Sequence, residues 1–227
     1  MNRFGTAYGG WNLPTDVELS GNSIVYSAGV GEDISFDILL QARYDPHIFL
    51  IDPTLRAVKH FDEVRNFYSS GVPLFTGDIQ KNYVNVIGLA KPKFEKIVYL
   101  EKGLWNKRDT LKFYKPVNEK YVSHTLIKDM YSPNYENVEV DAIKNIMDSH
   151  GHVAIDVLKL DIEGAEIAVL NQMLDDAVFP KYICVEFDLK LKGVDIDDQT
   201  GALIQRLEKH YEMLENRGWN CLFKKIS

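Results

Sequence analysis

Cysteine is scarce in this 227-residue chain, with Cys184 and Cys221 the whole supply. Both lie in apolar runs and neither belongs to a CxxC spacing, which argues against a disulfide framework or a cysteine-based zinc site and leaves both as buried small hydrophobes. Long hydrophobic runs are missing as well. No window approaches the ~20 apolar residues that cross a bilayer, and no apolar stretch follows Met1, so a cytoplasmic protein without a membrane span is expected. Positive charge is in deficit. The formal net charge of -7 disfavours a broad nucleic-acid-binding surface, and no nucleic-acid partner is expected. The basic residues form only small groups, Lys91, Lys93 and Lys96, then Lys102, Lys107 and Arg108. Internal repeats and low-complexity segments are also lacking.

What is present is enough apolar material for a full core, since 45% of the residues are hydrophobic. One domain over 23–227 is expected, preceded by a cap segment over 1–22 and interrupted by an insertion at about 95–135. Short buried strands are predicted at Ile24 to Ala28, His47 to Asp52, Val84 to Ala90, Asp156 to Leu160 and Lys181 to Phe187. WNCLFKKI makes a last strand. Helical spacing predicts helices from Asp33 to about Arg43, from Leu55 to Ser69 with Val58, Phe61 and Val64 on one stripe, after Val140 in DAIKNIMDSH, after Asp161, and from Leu203 to Glu215 before Gly218. KIVYL and TLKFY suggest a hairpin-like insertion or an added sheet edge. Strands alternating with helices imply an α/β fold with a largely parallel sheet covered on both faces, whose ligands sit at the carboxyl ends of the strands.

That rim gathers the candidate chemistry. Gly29 and Gly31 allow a sharp turn and close backbone approach to a ligand. There is no third glycine at the GxGxxG spacing and no GKS or GKT, and Glu32 and Asp33 at the helix start would oppose a pyrophosphate, so an uncharged or zwitterionic adenosine cofactor fits better. Asp52 ends its strand about 20 residues beyond Gly31, where a carboxylate holds two ribose hydroxyls. Asp161, Glu163 and Glu166 are either ordinary first-turn acids or a general base and substrate clamp. Glu186 sits in an otherwise apolar strand and needs partners, either the Asp161 loop or substrate. His124 is a candidate base or substrate ligand. His47, His60, His150, His152 and His210 follow no metal-binding spacing, and DIDDQTG, Asp195 to Gly201, lacks the glycine and closing Glu of a calcium loop, so no metal is assigned. Tyr8 and Trp11, beside Gly9 and Gly10, are packing residues or a lid over the cofactor.

VYSAGVGEDISFD, FLIDPT, VLKLDIEGAEIAVL and YICVEF together resemble the ordered motifs of the FkbM-type methyltransferases, over about residues 8 to 220, with LKLDIEGAE the most specific part. The resemblance implies a Rossmann-like class I methyltransferase sheet, S-adenosylmethionine as cofactor, and O-methylation of a small-molecule, sugar or glycan hydroxyl. It implies that Gly29 and Gly31 wall the methionine end, that Asp52 takes the ribose hydroxyls and that Pro53 shapes the adenosine edge. Asp161, Glu163, Gly164 and Glu166 match the acidic signature beside methyl transfer, and Glu186 the acidic strand end. Ser27 stands where the family often has an acid, so contact with the cofactor amine falls to its hydroxyl, a water or Asp161. With one clear strand after the Leu203 helix, either the closing antiparallel pair is incomplete or the 95–116 insertion alters the sheet edge. Asp161 is the first candidate base and His124 the second. An NAD-dependent oxidoreductase and a noncatalytic interaction domain are the alternatives.

Overall fold

The computed structural model describes residues 1–74, 82–116, 124–127, 133–191, 193 and 198–226. The chain opens with a small antiparallel pair, β1 (Asn2–Phe4) and β2 (Trp11–Leu13), and then enters the main sheet at β3 (Ile24–Ala28). There follow α1 (Ser35–Tyr44), β4 (His47–Ile51), α2 (Leu55–Ser70), α3 (Tyr83–Ile87) and β5 (Ile97–Leu100). A side sheet is built from β6 (Gly103–Leu104), β7 (Asp109–Tyr114) and β8 (Tyr135–Asp141). The chain returns through α4 (Ile143–His150), β9 (Val157–Leu160), α5 (Glu166–Asp175), β10 (Tyr182–Glu186), α6 (Asp188–Leu191) and α7 (Gln199–Leu207), and closes with β11 (Tyr211–Arg217) and β12 (Asn220–Lys225).

The main sheet has the order β11-β12-β10-β9-β3-β4-β5. Its five strands from β5 to β10 are parallel, and β12 lies antiparallel to both neighbours. Period-two alternation divides the apolar side chains between the two faces. Tyr26, Ala28, Leu158, Leu160, Ile183 and Val185 pack with α4, α5 and α7, while Val25, Ile48, Leu50, Val157 and Cys184 pack with α1, α2 and α3. This is the two-faced, Rossmann-like sheet expected, and both cysteines are buried and unoxidised.

Several local expectations are corrected. Val84 to Ala90 is not a strand: its β-branched residues lie in and just after α3, which buries Tyr83 and Ile87 one helical turn apart, and Tyr83 shares a 2.8 Å hydrogen bond with His60 of α2. KIVYL takes the edge reading, pairing with β4 in the main sheet, whereas TLKFY pairs with β8. Residues 117–123 and 128–132 of the expected insertion lie outside the described residues, as do Asp195, Ile196 and Asp197 of DIDDQTG. The Leu203 helix stops at Leu207, and Tyr211–Arg217 is a strand despite its Glu, Met and Leu content. A two-residue turn with Gly218 at φ 66° folds β11 onto β12, and pairing with its neighbour overrides helix propensity. The closing antiparallel pair is therefore complete. Among the described residues no helix is long and apolar enough to cross a membrane.

Strand order reverses between β3 and β9, and their carboxyl ends touch there. Gly29, at φ 70°, lies so close to Asp161 that an added Cβ would fall 1.6 Å from the Asp161 carbonyl oxygen. A second brace joins β9 to β10: the carboxylate of Glu166, fully buried, accepts the Gly164 N–H at 2.8 Å and the Asp188 N–H at 3.0 Å.

Both contacts generate stability predictions. Gly29→Ala forces the two strand ends apart, and denaturant unfolding is expected to show a loss of more than about 2 kcal/mol. Burial pushes the Glu166 carboxyl up to about 7, against the opposing pull of its backbone donors. The native state then keeps a proton that the unfolded chain releases from pH ~4.5 upward, so this group's contribution to stability falls as pH rises toward ~7. Between about pH 5 and pH 8 the native protein is expected to lose about 2 kcal/mol more than Glu166→Gln, measured by unfolding at each pH.

Candidate functional site

At the reversal point the carboxyl ends of β3, β4 and β9 open into a cleft of about 760 Å³ including its mouth. Its floor is the glycine turn, where Gly29 donates to the Ile51 carbonyl at 3.0 Å and Gly31 adopts φ 49°. Asp52 follows β4 and is 6% exposed. Among the described residues, one of its carboxylate oxygens accepts the Thr54 N–H and hydroxyl at 2.9 and 2.7 Å, and the other accepts only the Gly31 N–H, at 3.0 Å. A carboxylate oxygen takes two hydrogen bonds, so Oδ2 retains room for one more donor. Pro53 and Thr54 continue the wall, and Glu32 of the turn is held by Arg56 of α2 through a 2.7 Å ion pair.

The N-terminal segment closes one side. Thr6 donates its hydroxyl to Asp33 at 2.5 Å and its N–H to Ser35 at 2.8 Å, while the same Asp33 accepts the Ser35 N–H at 3.0 Å. Asp33 thus fixes the turn leading into α1, whose N-cap position is Ile34, and at the same time anchors the β1–β2 connection that puts Tyr8 and Gly9 on the cleft wall. Although Tyr8 is 65% exposed, shielding of its phenol by the surrounding chain, then the negative charges of Asp161, Glu163, Glu186 and Asp33, push it above the ordinary tyrosine range. The side sheet closes the opposite wall with Leu104, Phe113, His124 and Leu126. His124 stacks on Phe113 with ring centroids 5.4 Å apart, and the Thr125 hydroxyl is bonded to the Glu163 carbonyl.

The structure brings Gly29, Gly31, Asp52, Pro53, Asp161, Glu163 and His124 onto one cleft. Glu186 lies apart from them, in an adjoining cleft of about 880 Å³ whose wall it shares with Asp161 and Tyr8. Asp161 and Tyr8 line both cavities. Two candidates do not reach either wall. Ser27 is fully buried, because strand alternation turns it toward α1, and Glu166 is spent on bracing two loops. Neither side chain opens on the clefts where a cofactor or substrate contact was expected of it.

Lys159 was missed by the sequence reading. It lines the cleft although 2% exposed, and its ammonium donates to the Gly29 carbonyl at 2.8 Å. The signal was legible, since a lysine inside VLKL needs partners for the same reason as Glu186 inside YICVEF. The roles of Phe113, Leu126 and Thr6 carried no local signal, because their positions depend on how separate segments dock. Among the described residues no group of three or more His, Cys, Asp or Glu is arranged to hold a metal ion.

No curated protein matches the chain by sequence. Solved structures similar to it include the crystal structure of a fibrillarin/Nop5p complex, at 10% identity over 91% of this chain and 73% of that one, with a TM-score of 0.42. The model of the methyltransferase FkbM domain matches residues 13–213. With nearly the whole chain covered, this protein belongs to the FkbM methyltransferase family.

Proposed function

We propose that the protein binds S-adenosylmethionine in the first cleft and methylates a hydroxyl of a small molecule, sugar or glycan that enters through the second. The observation that carries this reading is the shared wall: Asp161 and Tyr8 stand between a cleft with a ribose-type carboxylate and a second, polar cleft holding Glu186, Asn12 and Asn220. Family membership sets aside the oxidoreductase alternative.

The residues present fit the cofactor. Among the described residues Asp52 Oδ2 keeps an acceptor position for a ribose hydroxyl, and the acids around the cleft suit a ligand bearing positive charge. Gly29 and Gly31 would face the methionine end and Pro53 the adenosine edge. Bound there, the cofactor supplies an electrophilic methyl group. The acceptor oxygen forms the new bond to carbon as the carbon–sulfur pair leaves with sulfur, and the hydroxyl proton must go to a base. Alcohols are weak nucleophiles near neutral pH, so a positioned carboxylate or imidazole contributes directly. Asp161 is the first candidate because it faces both clefts. His124 is the second, held by its stack on Phe113. Glu186 and Glu163 would orient the acceptor from either side of Asp161, and holding oxygen and methyl at near contact supplies much of the remaining acceleration.

Calorimetric titration with S-adenosylmethionine tests the cofactor site. Asp52→Ala is expected to weaken binding at least tenfold, ~1.4 kcal/mol, with the fold intact by circular dichroism; undiminished affinity would remove Asp52 from the site. With an acceptor found by screening hydroxylated compounds, Asp161→Asn is expected to lower kcat by roughly 10²–10⁴ while cofactor affinity stays within a few-fold. A normal rate in that variant, together with a collapsed rate in His124→Ala, would transfer the role of base to His124.

A further inference from the structure

The residue nearest Asp161 from beneath is Lys159. Alternation along β9 sends Leu158 and Leu160 to one face and Val157 and Lys159 to the other, where Lys159 lies in register between Ser27 of β3 and Cys184 of β10. Both of those neighbours are fully buried. A buried ammonium is costly unless partnered, and here two oxygens meet it while a further acid lies on the same face. The Gly29 carbonyl accepts at 2.8 Å, Asp161 Oδ2 stands 3.9 Å away, and Asp37 approaches from α1 with 1% exposure. Burial pushes the Asp37 carboxyl up to about 6, and the Lys159 charge pulls the other way. Among the described residues that line the cleft, Lys159 is the lone lysine or arginine against Glu32, Asp33, Asp52, Asp161 and Glu163.

We propose that Lys159 is a positioning residue that holds the glycine turn through the Gly29 carbonyl and sets the charge of the cofactor cleft, restraining its preference for a sulfonium over a thioether. The proposal rests on the S-adenosylmethionine reading. An acid-lined cleft favours the charged sulfonium, and methyl transfer removes that charge. Too negative a cleft would stabilise the charged ground state more than the charge-dispersed transition state, which slows the step. A single cation behind Asp161 offsets this without occupying the space above the turn.

The test is the ratio of dissociation constants for S-adenosylhomocysteine and S-adenosylmethionine, measured by calorimetry at low salt on folded protein. Lys159→Met is expected to weaken both ligands by loosening the turn, while shifting the ratio toward S-adenosylmethionine by about threefold or more. Lys159→Met/Asp37→Asn, which removes one charge of each sign, is expected to bring the ratio back toward that of the native protein. Asp37→Asn alone leaves Lys159 less neutralised and is expected to shift the ratio toward S-adenosylhomocysteine, and it decides the matter if neither Lys159 variant folds. An equal loss for both ligands in Lys159→Met, or an unchanged ratio in Asp37→Asn, would leave Lys159 a structural residue only and overturn the proposal. Native protein that binds neither ligand would instead overturn the cofactor reading, and this proposal with it.

Discussion

Everything at the site depends on the contact between Gly29 and the Asp161 backbone. A Cβ on Gly29 would sit 1.6 Å from the Asp161 carbonyl oxygen, so the carboxyl ends of β3 and β9 approach more closely than any side chain would permit. That approach brings two acid-bearing loops together. It aligns the Gly31 N–H with Asp52 on one side and places Asp161 at the junction of two clefts on the other. The sheet's reversal between β3 and β9 supplies the opening, since neighbouring strands there send their following loops in opposite directions.

Such a meeting of acids creates an electrostatic problem that the fold answers from within. Glu32 is held by Arg56, Asp33 by Thr6 and Ser35, and Asp52 by Thr54 and Gly31. Each of these three carboxylates therefore has a donor that also ties one segment to another, so charge compensation and chain positioning are the same set of contacts. Lys159 extends this logic beneath the floor. The Tyr8 phenol, its ionisation suppressed by the acids around it, remains a neutral hydrogen-bonding group between the clefts.

The two walls come from outside the repeating strand-helix core. Thr6 docks the amino-terminal pair on the start of α1, and Thr125 links the side-sheet region to the Glu163 loop. Both attachments end at residues beside the glycine turn or the Asp161 loop. A cleft closed by separate segments, each pinned at one or two points, lets the walls differ while the floor stays constant.

The sequence by itself determined the parallel core and its floor. Ile24 to Ala28, His47 to Ile51, Val157 to Leu160 and Tyr182 to Glu186 are short apolar runs because each strand is covered on both faces, and the glycines and acids that follow them mark their carboxyl ends. Tertiary structure alone decided the rest. Val84 to Ala90 and Tyr211 to Arg217 carry local preferences opposed by their packing, the first coiled against α1 and the second paired with β12. It also decided which polar residues face the cleft: Ser27 and Glu166 are turned inward while Lys159 reaches the floor, because side-chain direction in a sheet follows register and neighbouring loops rather than residue type.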